Sequence, residues 1–247
     1  MTAAAEVVAV TSRVAFLAQP SGEMTAHHEA SVASFPFSCV TPGWRSLGLR
    51  VGEGVTMSDT RIARGEASAT FRRLAPRGIS AVPGGTSRLA ARIGRNLAPG
   101  PALQASSILL AAFRGDQRLD DALVAVIGYG PGLTPSGDDV LVGLFAGLDL
   151  SAETQKRWRL RTAFASLEAI VPQRTTSVSA AILVAAAVGH YAGVIADVCA
   201  SAAWRTPAQL DAALARLSAV GSSTGRDVIA GLALAAMVSD SQAGPTT

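Results

Sequence analysis

Lysine is nearly missing from this chain: against twenty arginines there is one, Lys156. Schiff-base chemistry and the phosphate-gripping lysine of nucleotide-hydrolysing loops are thereby close to excluded. Lys156 itself lies in "TQKRWRLR", which reads as a solvated helix face. Cysteine is equally scarce. Cys39 and Cys199 stand far apart with no C-x-x-C, so neither a disulfide framework nor a zinc site is indicated, and both are expected to pack as small apolar residues. Only three histidines occur, and no Ser-His-Asp or Cys-His set can be assembled from them. His27 and His28 are adjacent in a strand or loop and are expected at a surface or turn; His190 is expected to be partly buried and satisfied. Aromatics make up 5% of the chain, which disfavours a sheet-dominated core. No block of five basic residues exists and the net charge is only +3, so nucleic acid is not an expected partner. The longest apolar tract, "SAAILVAAAVGHYAGVIADVCASAAW", carries His190 and Asp197 and suits a buried helix better than a membrane span. The opening "MTAAAEVVAVTSR" has no basic stretch ahead of its apolar one, which argues against a secretory signal and for a cytoplasmic location.

What is present divides at about residue 82. Residues 1–82 hold short β-branched or aromatic segments, among them "EVVAVTSRVAFLA", "ASVASFPFSCV" and "LGLRVGEGVTM", bounded by turn signals. Five or six short strands are expected there. Residues 83–247 are alanine-rich with helical periodicity, as in Leu89, Ile93 and Leu97. The expected class is α+β: a β-rich N-terminal region followed by a bundle of seven or eight mostly buried helices, with "DSQAGPTT" fraying at the end.

Two helical stretches resemble each other. "GDDVLVGLF" at 137 and "GRDVIAGLA" at 225 agree at five of nine positions, 88 residues apart. Ser136 with Asp139, and Thr224 with Asp227, suggest two capping boxes with Asp in the usual Glu position. Gly143 and Gly231 also coincide, which predicts two tightly crossing helices with facing starts.

The first of these stretches follows "GYGPGLTPSGDD", residues 128–139, with four glycines and two prolines in twelve positions. It fits neither the phosphate-loop pattern nor the dinucleotide-binding fingerprint. Such a turn before a helix offers unpaired amides to an anion. Because Pro131 and Pro135 have no N–H, the donors must come mainly from Gly130, Gly132, Leu133, Thr134 and Ser136. Asp138 has no capping duty and is expected to act as a polar site residue or as acceptor for a substrate amide, with magnesium as the minority alternative. A second cluster, "QRTTS" at 173–177, offers Arg174 as an anion fork and the hydroxyls of Thr175 and Thr176; capping accounts for these hydroxyls equally well.

The pattern GxGPGLTPSGDDxLxG from Gly128 to Gly143 resembles the signature of the AllH-type subunit of oxamate carbamoyltransferase. "RTTSVSAAILVAAAVG" and "GSSTGRDVIAGL" are similar to later, looser blocks of that family, in the same order. The resemblance implies a carbamoyltransferase subunit that works with companion subunits on carbamoyl phosphate and an oxamate-like acceptor in allantoin breakdown. It carries substrate binding onto Gly130, Gly132, Thr134, Ser136, Asp139, Thr175 and Thr176, and catalysis onto Asp138 and Arg174. No cofactor is expected, magnesium being the possible exception, and a homo-oligomer is possible. The alternatives are a non-catalytic anion-binding or scaffolding subunit and a purely structural helical protein.

Overall fold

The computed structural model describes residues 2–29, 35–94 and 100–240. Leu97, the first residues of "ASVASFPFSCV" and nearly all of "DSQAGPTT" lie outside them. The chain forms two units, Met1–Pro76 and Arg77–Thr247.

Period-two burial makes the first unit. In β1 (Ala3–Val10), Ala5, Val7 and Ala9 are buried while Ala4, Glu6 and Val10 are exposed. β2 (Val14–Ala18) and β3 (Met24–His28) follow as antiparallel neighbours. β4 (Ser38–Val40) pairs parallel to β3; β5 (Gly54–Met57), β6 (Arg61–Arg64) and β7 (Ala67–Thr70) extend the other edge, and β8 (Arg72–Arg73) closes beside β4. The order is β7-β6-β5-β1-β2-β3-β4-β8, an eight-stranded sheet where five or six strands were expected. The short strands β7 and β8 are too polar to announce themselves by hydrophobic alternation. One core packs Val7, Leu17, Trp44, Leu47, Met57, Ile62 and Phe71 together.

Both adjacent histidines are buried here, contrary to expectation. β3 is buried on both faces, so alternation cannot expose either one. His27 pairs with Thr41 and Thr25 hydroxyls at 2.9 and 3.1 Å, and burial, helped by the charges of Arg73 and His28, pulls its pKa down to about 3. It is a neutral, structural imidazole.

The second unit contains ten helices among the described residues, not seven or eight. They are α1 (Gly85–Ile93), α2 (Pro101–Arg114), α3 (Leu119–Val126), α4 (Ser136–Leu150), α5 (Thr154–Leu167), α6 (Val171–Arg174), α7 (Ser177–Ala187), α8 (Gly193–Trp204), α9 (Pro207–Ser218) and α10 (Thr224–Asp240). The long apolar tract is two helices, α7 and α8, divided where Gly189 takes a φ of +84° and Tyr191 bridges to Arg77. That bridge, with Val82 N–H donating to the Leu150 carbonyl, ties the segment after Pro76 to the helices, so the unit begins earlier than residue 83. His190, expected to be partly buried, is exposed at this break. No described helix is long and apolar enough to cross a membrane.

α4 is the axis. Every one of its residues is buried, whereas α5 buries only Lys156, Leu160, Ala163 and Phe164. Leu141, Leu144, Phe145 and Leu148 are fully enclosed, each worth about 2 kcal/mol of burial. Lys156 is not solvated: its Nζ donates to the Val238 carbonyl at the end of α10. Its long stem covers apolar surface while its ammonium meets a carbonyl near the helix end. Asp149, also buried, accepts from Arg161 at 2.8 and 2.9 Å and from the Tyr191 hydroxyl at 2.7 Å. Cys39 and Cys199 are buried free thiols, their pKa values pushed up by burial to about 11 and about 12.

α10 crosses α4 with backbones touching. A Cβ placed on Gly143 would lie 2.1 Å from the Val228 carbonyl oxygen and 2.9 Å from Gly231 Cα. A Cβ on Gly231 would lie 2.0 Å from the Val140 carbonyl oxygen and 2.9 Å from Gly143 Cα. Each contact maps onto the other by the 88-residue offset, so the repeat is a local two-fold pairing.

Candidate functional site

The loop between α3 and α4 is held from every side. Glycines at 128, 130 and 132 all have positive φ (+79°, +109° and +105°), so the chain turns repeatedly where only glycine is unstrained. A Cβ on Gly128 would sit 2.0 Å from the Arg174 carbonyl oxygen, which brings the loop directly against the end of α6, just ahead of α7. Tyr129 accepts from Gly137 N–H at 2.8 Å, and the Leu133 carbonyl accepts from the Thr176 hydroxyl at 2.6 Å. Thr176 is also the N-cap of α7, taking the Ser179 N–H.

Within this frame the five amides singled out from the sequence stand apart. Among the described residues, the N–H groups of Gly130, Gly132, Leu133, Thr134 and Ser136 have no acceptor in the chain. A Cβ on Gly130 would lie 3.0 Å from Ser136 N, so glycine there leaves that amide uncovered. The rest of the helix start is less open than expected. Pro135 is the N-cap, and its carbonyl takes Asp138 and Asp139 N–H at 3.0 and 3.1 Å, while Gly137 is used by Tyr129. The donors are mainly those of the loop, a run of successive amides.

Neither expected capping box forms. Ser136 and Thr224 are first helical residues, one step too late to cap, because the preceding turns place Pro135 and Ser223 at the carbonyl positions. The true capping box is at α9, between Thr206 and Gln209. Asp139 instead accepts from the Thr134 hydroxyl at 3.1 Å, and Thr134 meets the Thr224 hydroxyl at 2.8 Å. The two helix starts therefore face each other through a threonine pair backed by Asp139 and Asp227. Burial holds the Asp139 carboxyl well above the usual carboxylate range; the charges of Asp227 and Asp138 push the same way, against the bonds from Thr134 and Thr224. Asp227 is also buried, and among the described residues its Oδ2 has no hydrogen-bond partner. Thr224 and Asp227 escaped the sequence reading as site residues because capping seemed to account for them. Their coincidence with the first motif was the available signal.

Asp138 is fully occupied inside the protein. Its Oδ1 accepts from Gly128 N–H at 2.8 Å, and its Oδ2 from the hydroxyls of Thr175 and of Ser179 (2.6 Å). Burial raises its pKa and these three bonds oppose that rise. The side chain braces the loop against α7, which is a positioning geometry. Arg174 is exposed and donates through Nη2 to the Val124 carbonyl of α3 at 2.7 Å, leaving its remaining donors outward. Among the described residues no cluster of three or more His, Cys, Asp or Glu is arranged to hold a metal ion. A cavity of about 330 Å³ lies elsewhere, between α8 and α9; none of its lining residues belongs to the loop.

No curated protein and no solved structure matches the chain. Residues 126–236 match the family model described as oxamate carbamoyltransferase subunit AllH, which spans the loop, α4, α7 and the crossing with α10 and supports the AllH-type assignment suggested by the motif.

Proposed function

We propose that this chain is a subunit of a carbamoyltransferase and that its loop at residues 128–139 holds a small carbamoyl-bearing anion. The observation that carries this reading is the set of five unpaired amides on a loop anchored through the Gly128 amide and the Tyr129 and Leu133 carbonyls. Such donors need no reorganisation when they meet an oxyanion, which is the condition for strong electrostatic stabilisation. Carbamoyl phosphate has both a dianionic end and an NH₂ group. The amides of Gly130, Gly132, Leu133, Thr134 and Ser136 suit the phosphate oxygens; the Asp227 Oδ2 and the Thr134–Thr224 pair suit the NH₂. In the reaction, the acceptor amide nitrogen forms a bond to the carbamoyl carbon as the carbon–oxygen bond to phosphate breaks. Phosphate leaves with the electron pair and the nitrogen loses a proton. No covalent enzyme intermediate is needed, so positioning and charge stabilisation suffice in a chain poor in nucleophiles. Asp138, Thr175 and Thr176 position the loop, and Arg174 supplies a cationic fork at its edge. Companion subunits would close the site over this open face, with oxamate as the acceptor and allantoin breakdown as the context.

The internal satisfaction of Asp138 favours a second reading, a subunit that binds the anion without catalysing transfer. The purified chain, alone and combined with its companion subunits, should be assayed with carbamoyl phosphate and oxamate. Formation of oxalurate by the complex, abolished by Thr134→Val with Asp139→Asn, supports the transferase. Carbamoyl phosphate binding with turnover unaffected by these variants supports the second reading.

A further inference from the structure

The cavity between α8 and α9 is unlike the loop: it is walled by side chains, and three of them are arginines. Arg77, Arg205 and Arg216 line it together with Asp197, Ser201 and Gln209. Arg77 is committed, donating from Nη1 to Asp197 Oδ1 at 2.5 Å. Among the described residues the guanidinium groups of Arg205 and Arg216 have no partner, which leaves two positive charges uncompensated around one concavity. The neutral groups add donors. Ser201 is 5% exposed, yet its hydroxyl makes no hydrogen bond among the described residues. Gln209 uses its Oε1 for the capping box with Thr206, so its NH₂ group is left over for the cavity. Apart from the second oxygen of Asp197, whose charge Arg77 already balances, the groups left over can all donate, and the volume, about 330 Å³, is at the small end of metabolite sites.

We infer that this cavity is a binding site for a small organic dianion, separate from the loop. Planar guanidinium forks suit both phosphoryl and carboxylate oxygens, and a doubly charged ligand matches the excess charge. The site does not depend on the carbamoyltransferase reading, because it shares no residue with the loop.

The test is calorimetric titration of the full chain with inorganic phosphate and with malonate, acetate serving as the singly charged control. The wild-type chain and the Thr134→Val variant should bind at least one dianion saturably, and at least about tenfold more tightly than acetate. Arg205→Ala with Arg216→Ala, both at exposed positions and checked for an unchanged unfolding transition, should weaken it by about tenfold or more. Preference for phosphate over malonate would mark a phosphorylated ligand, and the reverse a dicarboxylate. Absence of saturable dianion binding in Thr134→Val, or unchanged affinity in the double arginine variant, would overturn the inference.

Discussion

The starts of α4 and α10 are built on one plan and finished differently. In both, a glycine in the first turn packs on the end of the preceding helix. A Cβ on Gly137 would reach the Val126 carbonyl oxygen at 2.1 Å, and one on Gly225 the Leu217 carbonyl oxygen at 1.8 Å. In both, an upstream glycine sits against the first helical residue, Gly130 on Ser136 and Gly221 on Thr224. Both then place an acid and a crossing glycine at matching positions. What differs is the approach. Residues 127–135 form a glycine- and proline-rich loop with unpaired amides, whereas 219–223 is a short turn. Asp138, braced to α7, has Arg226 as its counterpart, and that residue reaches only the Ser222 carbonyl. The shared features make the helix crossing; those peculiar to the first copy make the candidate site.

Attacking the shared part should have the largest effect. Gly143→Ala or Gly231→Ala forces the backbones about 1 Å or more apart, and each should cost about 3 kcal/mol or more. Because either change already separates the helices, the double variant should cost clearly less than the sum in denaturant titrations. The peculiar part comes next. Asp138→Ala strands the Gly128 amide and two hydroxyls and should cost about 2–4 kcal/mol, while Arg226→Ala at the matching position should stay within about 0.5 kcal/mol. Equal effects at the two positions would erase the distinction drawn between the copies. Thr134→Val and Thr224→Val each remove hydroxyl bonds at the meeting point, for about 1 kcal/mol, and should couple in a double-mutant cycle.

A subtler effect concerns pH. The folded protein raises the Asp139 pKa, so it holds that proton more tightly than the unfolded chain does. Asp139 therefore favours the folded state below its unfolded value, about 4, and this contribution is lost as pH rises through the folded value. Asp139→Asn should melt above the wild type at neutral pH, with the gap closing toward pH 4. Parallel melting curves would show that Asp139 does not carry this burden.

The sequence was most informative where backbone chemistry is local. Glycines and the two prolines marked the loop because turn chemistry is local, and the matching glycines of the repeat marked the crossing of two helices 88 residues apart. The sheet's polar edge strands, the burial of His27 and His28, and the Lys156–Val238 bond depend on partners far away, which periodicity does not encode. Asp138 is instructive in the same way. With no cap to account for it, Asp138 reads as a site residue or substrate-amide acceptor, but its partners Thr175 and Ser179 come from α7 and its foot, so whether it faces a ligand or the protein could not be read locally. The boundary at Pro76 was displaced from residue 82 for the same reason: Arg77 and Val82 are claimed by Tyr191 and Leu150.

The most direct test of the account follows the backbone amides of an isotopically labelled chain while carbamoyl phosphate is added. The N–H resonances of Gly130, Gly132, Leu133, Thr134 and Ser136 should shift together along one saturating curve, with those of the α10 turn at residues 219–223 unmoved. Saturating ligand that leaves the five resonances in place would contradict the claim that this loop is an anion site.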